Sequence, residues 1–223
     1  MAESRAGLIE LFDAERKVRA VHDALARRGR AAMLAPLRAA VAEAGGARAA
    51  PGLGPEEAEL RLVCVARLLG EFDGQDVVDL LIDVLGSDYP EARGEAGEQL
   101  RGLALERFEQ VARGVERALE RLPAGSPALV ELPQVLLEIP EPGAALLVRR
   151  FVAHRDPDAV GSAIEALAEL GDREAVALLE PLCEDGRVAR VGDEELTEVT
   201  VGELAREAIE LLREGEVADR DGA

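Results

Sequence analysis

The chain has 223 residues and is 48% apolar, enough for one large or two small domains with ample core. Only 2% of the residues are aromatic and Trp is absent, so the core falls to Ala, Leu and Val, which suit close helix-on-helix packing and predict an all-α protein. A formal net charge of −19 argues against nucleic acid as a partner, because phosphate binding needs clustered Lys and Arg to release counterions.

Charge is uneven: residues 1 to 50 carry nine basic and six acidic side chains, and the remainder carries seventeen and thirty-nine. "LIELFDAERKVRAVHDALARRG" (8 to 29) and "AAMLAPLRAAVAEAG" (31 to 45) read as a first pair of helices. "AGGARAAPGLGP" (44 to 55), small and rich in Gly and Pro, follows as a connection and a possible hinge. In "RLVCVARLLGEFDGQDVVDLLIDVLGSD" (61 to 88) an apolar helix breaks at Phe72-Asp73-Gly74, and a second helix carries Val77, Val78, Leu80, Leu81, Val84 and Leu85. "YPEARGEAGEQL" (89 to 100) opens the next unit, and "ALERFEQVARGVERALERL" (104 to 122) reads as one long helix. "SPALVELPQVLLEI" (126 to 139), started by a Ser126 cap and Pro127, pairs with "EPGAALLVRRFVAH" (141 to 154).

The clearest pair is "DPDAVGSAIEALAELGDREAVALL" (156 to 179). Asp156 caps a helix beginning at Pro157, with Val160, Ile164, Leu167 and Ala168 at helical spacing. Gly171 supplies the left-handed residue that ends it, and Asp172 is expected to cap a second helix carrying Val176, Leu178, Leu179 and Leu182. Asp73 and Asp172 mark equivalent turns 99 residues apart, three periods of about 33 residues, in the range of two-helix repeats. "GRVARVGDEELTEVTV" (186 to 201) loses this spacing and offers two β-prone runs, predicting a small hairpin or ordered loop. Thr200 and Glu203 fit a capping box that opens a last helix, "ELAREAIELLRE". The expected organisation is one domain over 1–214, with 215–223 a disordered tail that lacks apolar anchors.

Aligned in this way, "DPDAVGSAIEALAELGDREAVALLEPLCED" resembles a HEAT-type repeat of the bacterial kind, the group that includes the repeats of phycobilisome lyases. The resemblance lies in Asp156-Pro157, the packing positions Ala163, Ala166 and Leu167, the turn Leu170-Gly171-Asp172, and Ala175-Val176 with Leu179 and Leu182. Residues 61 to 100 and 198 to 213 match more loosely, and 1 to 50 and 101 to 155 mainly by period. It implies an α-solenoid of about five antiparallel helix pairs with a terminal capping helix and an extended binding face. No catalytic residue carries over, because such a repeat has packing positions and no shared chemical motif.

Candidate chemistry is sparse. Cys64 and Cys183 sit inside apolar helical patterns, where a free thiol acts as a small hydrophobe, and with no disulfide framework the cytoplasm is the expected compartment. No apolar run approaches the roughly 18 residues of a membrane span, so no membrane partner is expected. His154 and Cys183 could meet across neighbouring helices as base and nucleophile, but they read as a helix-end residue and a core residue, and His22 as surface or packing. Neither zinc spacing nor a calcium loop is present, and "PGLGPEE" has Glu57 at the third position of a dinucleotide fingerprint with no strand before it, so neither metal nor cofactor is expected. Ser162 lacks the glycines and strand of a nucleophile elbow.

Carboxylates offer more. Asp76, Asp79 and Asp83 fall at i, i+3 and i+7 on one helix face, followed by Glu91, Glu95 and Glu98 on the next helix, with only Arg93 nearby in sequence to offset them. Like charges at these spacings repel, and a basic partner would relieve the repulsion and be steered in by it. The expected function is therefore a non-enzymatic scaffold or adaptor that binds a protein with a basic patch, with these six residues as the partner-binding site and a monomer as the favoured state. Two alternatives stand beside it: an immunity-type inhibitor of a basic nuclease, to which strong acidity is suited, and a lyase-like accessory protein, an idea resting on the repeat resemblance alone and weakened by the shortage of aromatic and His residues for a tetrapyrrole pocket. A DNA-repair glycosylase is disfavoured by the negative charge and the missing Trp.

Overall fold

Proline at the first helical position, where a missing amide costs nothing, begins five of the helices: α3 (Pro55–Gly70), α5 (Pro90–Arg121), α6 (Pro127–Leu137), α7 (Pro142–Phe151) and α8 (Pro157–Glu169). The structure, a computed structural model, describes residues 2–45, 53–192 and 197–221, with backbone alone for 2–6 and 215–221. Among them are also α1 (Ala2–Ala26), α2 (Arg30–Ala44), α4 (Gln75–Leu85), α9 (Val176–Leu179) and α10 (Val201–Asp221), with one antiparallel sheet of β1 (Val188–Val191) and β2 (Thr197–Thr200). The fold is all-helical apart from this ribbon. The expected hinge lies largely outside the described residues, since 46–52 are not among them.

Helices α2 to α8 pack on their chain neighbours and mostly on the helix two places along: α3 and α4 on α5, and α6 on α7 and α8, while α8 also packs on α10. The shared core is aliphatic, with Leu62, Leu69, Leu81, Ile82, Leu85, Leu100, Leu129, Leu132, Leu136, Ile164 and Leu167 nearly inaccessible and Phe151 the aromatic among the largest buried side chains. Burying each of these contributes about 1.5 to 3 kcal/mol. Small residues set the helix separations: a Cβ on Gly114 of α5 would lie 2.3 Å from Val78 Cγ1 of α4, so only glycine permits this approach.

Several local expectations hold. Asp156 accepts a hydrogen bond from the Asp158 amide at the start of α8, and Gly171 takes a φ of 65° at its end. Thr200 and Glu203 form the capping box, the Glu203 amide donating to Thr200 Oγ1 (3.2 Å) and the Thr200 amide to Glu203 Oε2 (2.9 Å). The 186–201 segment is a hairpin pairing Val188 with Thr200 and Val191 with Thr197; its buried Ala189 rests against Gly161 of α8.

Other expectations need correction. The segment after Gly171 is not a regular helix: 3-10 turns at Arg173–Ala175 and Glu180–Leu182 flank the four residues of α9, and Pro181 removes an amide that a continuous helix would need. Asp172 does not cap it through its side chain, because its carboxylate is held by Arg149. Ser126 makes no side-chain cap bond either. The units at 89–100 and 104–122 are continuous as α5, broken only at Arg107 (φ −143°, ψ 49°). The helical backbone of α10 runs past Glu214 to Asp221. Cys64 is exposed rather than core, because Leu62, Val63, Val65 and Ala66 take the inward faces of α3.

Candidate interaction surface

Helix α4 buries seven of its eleven residues, from Val77 to Leu85, which confines its polar side chains to one outward strip. On that strip Asp79 accepts from Arg117 Nη2 at 2.6 Å and Asp83 from Arg121 Nη1 at 2.7 Å. Both arginines come from α5 and are four residues apart, one helical turn, so they match the spacing of the two aspartates. Asp76 lies 3.7 Å from Arg30 Nη1 of α2. The strip is therefore neutralised from both sides, and the repulsion expected along it is offset. Arg93 plays no part there: it bonds Glu131 at 3.0 Å and the Ser87 carbonyl at 3.2 Å. These pairs stay at least a third exposed, which limits each to about 0 to 1 kcal/mol.

The glutamates of α5 divide differently. Glu95 is 11% exposed and belongs to another cluster, accepting from Arg67 Nε of α3 at 2.7 Å and from Gln99 Nε2 at 2.8 Å. Its hydrogen bond holds the Arg67 guanidinium above its ordinary value. Glu91 and Glu98 are exposed. At the start of α5 a carboxylate from the preceding unit acts as the cap, Glu59 Oε1 accepting the Glu91 amide at 3.1 Å. The six carboxylates thus form one compensated strip, one largely covered carboxylate paired with an exposed arginine, and two solvent-facing groups. Beside Glu95, a groove lined by Glu15, Val18, Arg19, His22, Arg67, Glu71 and Gln99 separates α1 from the body, and His22 Nε2 finds no hydrogen-bond partner among the described residues.

A second polar centre had no local signature. Buried Asp156 accepts the Gly125 amide at 2.6 Å as well as that of Asp158, and buried Asp158 accepts the Arg190 amide at 2.8 Å and its Nη2 at 2.6 Å, pinning β1 to α8. Arg187 donates to the carbonyls of His154 and Arg155 (3.1 and 3.2 Å) and to Asp185 Oδ2 (2.7 Å), which holds the Asp185 carboxyl below the usual carboxylate range. Ser162 donates to the Val130 carbonyl at 2.6 Å.

These partners share one property. Ser162 and Val130 are 32 residues apart, as are Arg190 and Asp158; Arg187 and His154, like Arg213 and Glu180, are 33 apart, and Asp79 and Asp83 reach arginines 38 away. Separations of this size lie beyond the reach of any short sequence motif.

His154 and Cys183 are not directed at each other: His154 Nδ1 accepts the Asp156 amide at 3.1 Å, and the Cys183 thiol points at the Leu179 carbonyl of its own turn, 3.9 Å away. Among the described residues there is no group of three or more His, Cys, Asp or Glu side chains placed to hold a metal ion, and no helix is long and apolar enough to cross a membrane. The chain matches no family model, no curated protein and no solved structure.

Proposed function

We propose that the protein is a non-enzymatic scaffold or adaptor of the cytoplasm, a HEAT-like α-solenoid that holds a basic segment of a partner protein along its acidic α4–α5 side. Side-chain bonds that recur about one unit apart support the solenoid, because stacked helix pairs touch mainly their neighbours. The observation that carries the binding reading is the acidic row on consecutive helices, exposed at Asp76 of α4 and Glu91 and Glu98 of α5 and half-buried at Asp79 and Asp83 of α4. Arg117 and Arg121 fix two of these carboxylates in place, so a partner's Lys or Arg meets oxygens already ordered and loses less entropy on binding. Glu91 and Glu98 supply the excess negative charge that steers such a partner in.

The test is a capture experiment with the purified chain as bait, set against two variants: Asp76→Lys with Asp79→Lys and Asp83→Lys, and Glu91→Lys with Glu98→Lys. Circular dichroism melts establish that both variants fold. A basic protein that elutes early in a salt gradient, rebinds the purified bait with defined stoichiometry and is lost from both variants is the expected result. Capture of the same proteins by all three baits would remove this surface from the function.

A further inference from the structure

Helix α1 stands apart from the rest of the molecule. Leu8, Ile9, Leu11, Phe12, Val18 and Val21 are each more than half exposed, and every residue from 7 to 21 is exposed. The helix is anchored at its C-terminal end, through the partly buried His22, Leu25 and Ala26. With 25 residues the helix is about 37 Å long, and a helix exposed on all sides and carrying this much apolar surface is marginal in water without something to cover it.

Its charge says what the cover is. The first half carries Glu3, Glu10, Asp13 and Glu15 against the single Arg5; the second half carries Arg16, Lys17 and Arg19 against the single Asp23, with Arg27 and Arg28 in the turn just past its end. Such a helix is complementary to itself, but only head to foot: side by side in parallel, acidic half meets acidic half and basic meets basic. We infer that α1 is a dimerisation helix, which pairs antiparallel with α1 of a second copy of this chain. Pairing about the charge boundary at Glu15-Arg16 sets Leu8, Leu11 and Phe12 of one copy beside Val18 and Val21 of the other, and the two-fold axis repeats the arrangement. Both apolar stripes are covered, and the carboxylates of each N-terminal half face the arginines of the other copy. The monomer favoured by the sequence is replaced by a closed dimer, whose formation is independent of the acidic surface on α4 and α5.

The experiment measures the mass of the full chain by sedimentation and light scattering across a concentration series. The expected result is a concentration-dependent rise from 23.7 kDa to twice that value and no further. Leu11→Asp with Phe12→Asp stays at the single-chain mass with an unchanged helical spectrum, since both positions are exposed within one copy. Glu10→Lys with Asp13→Lys and Glu15→Lys, and separately Arg16→Glu with Lys17→Glu and Arg19→Glu, each abolish self-association, and mixing the two variants restores a dimer. Spin labels on Arg27→Cys, in a Cys64→Ala and Cys183→Ala background, report the direction: roughly 33 Å apart along the axis in the antiparallel pair, and side by side in a parallel one. Single-chain mass at every concentration overturns the proposal, as does a dimer that survives Leu11→Asp with Phe12→Asp. A mass that climbs past the dimer overturns it in favour of head-to-tail stacking through other faces.

Discussion

Helices α1 and α4 both set Leu, Ile and Val beside charged residues and meet opposite fates. In α4 seven of eleven side chains are buried, and its aspartates are claimed by arginines of α2 and α5. In α1 the apolar residues from Leu8 to Val21 face solvent, and its charges pair within the helix, as Arg16 does with Asp13. An amphipathic pattern states that a face must be covered; it does not state by what. For α4 the cover comes from α2 and α5 of the same chain, and among the described residues no element covers the stretch of α1 from Leu8 to Val21.

The contrast can be broken at three strengths. The largest effect belongs to Ile82→Ala, which removes a fully buried side chain packed beside Gly114 and lowers unfolding free energy by about 2 to 5 kcal/mol; Leu11→Ala, measured by denaturation at high dilution, changes it by about 0.5 kcal/mol or less. Equal losses at the two sites would show that α1 is packed within one copy after all. Next comes Asp156→Ala, which leaves the Gly125 and Asp158 amides unpaired in a buried site and costs about 1 to 3 kcal/mol, whereas Asp13→Ala, on the exposed helix, stays near zero in the same thermal melts. The smallest is the coupling between Asp79 and Arg117, about 0.2 to 1 kcal/mol in a double-mutant cycle and weaker at high salt. A coupling of several kcal/mol would mean that the strip is far less open to solvent than it is here.

Much of the fold was legible because its boundaries depend on single residues. Pro157, Gly171 and the Thr200–Glu203 box each mark a helix end through local chemistry, and each sits where that chemistry requires. Cys64 was misread because "RLVCVARLL" is apolar nearly throughout, which hides the one face that turns outward. Asp172 was misread for another reason: a residue type suited to capping is equally suited to an arginine, and Arg149 lies 23 residues away. The six carboxylates could be placed on two helices, but not sorted into paired and unpaired, because Arg117 and Arg121 are 38 residues from their partners. The break at Arg107 has no Pro or Gly at that position to announce it.

The short reach of these side-chain bonds has a kinetic meaning. In a chain of 223 residues, partners that lie about 23 to 38 positions apart close only modest loops, so the native topology has low contact order for its size. Folding therefore has little need to wait for the two termini to find each other.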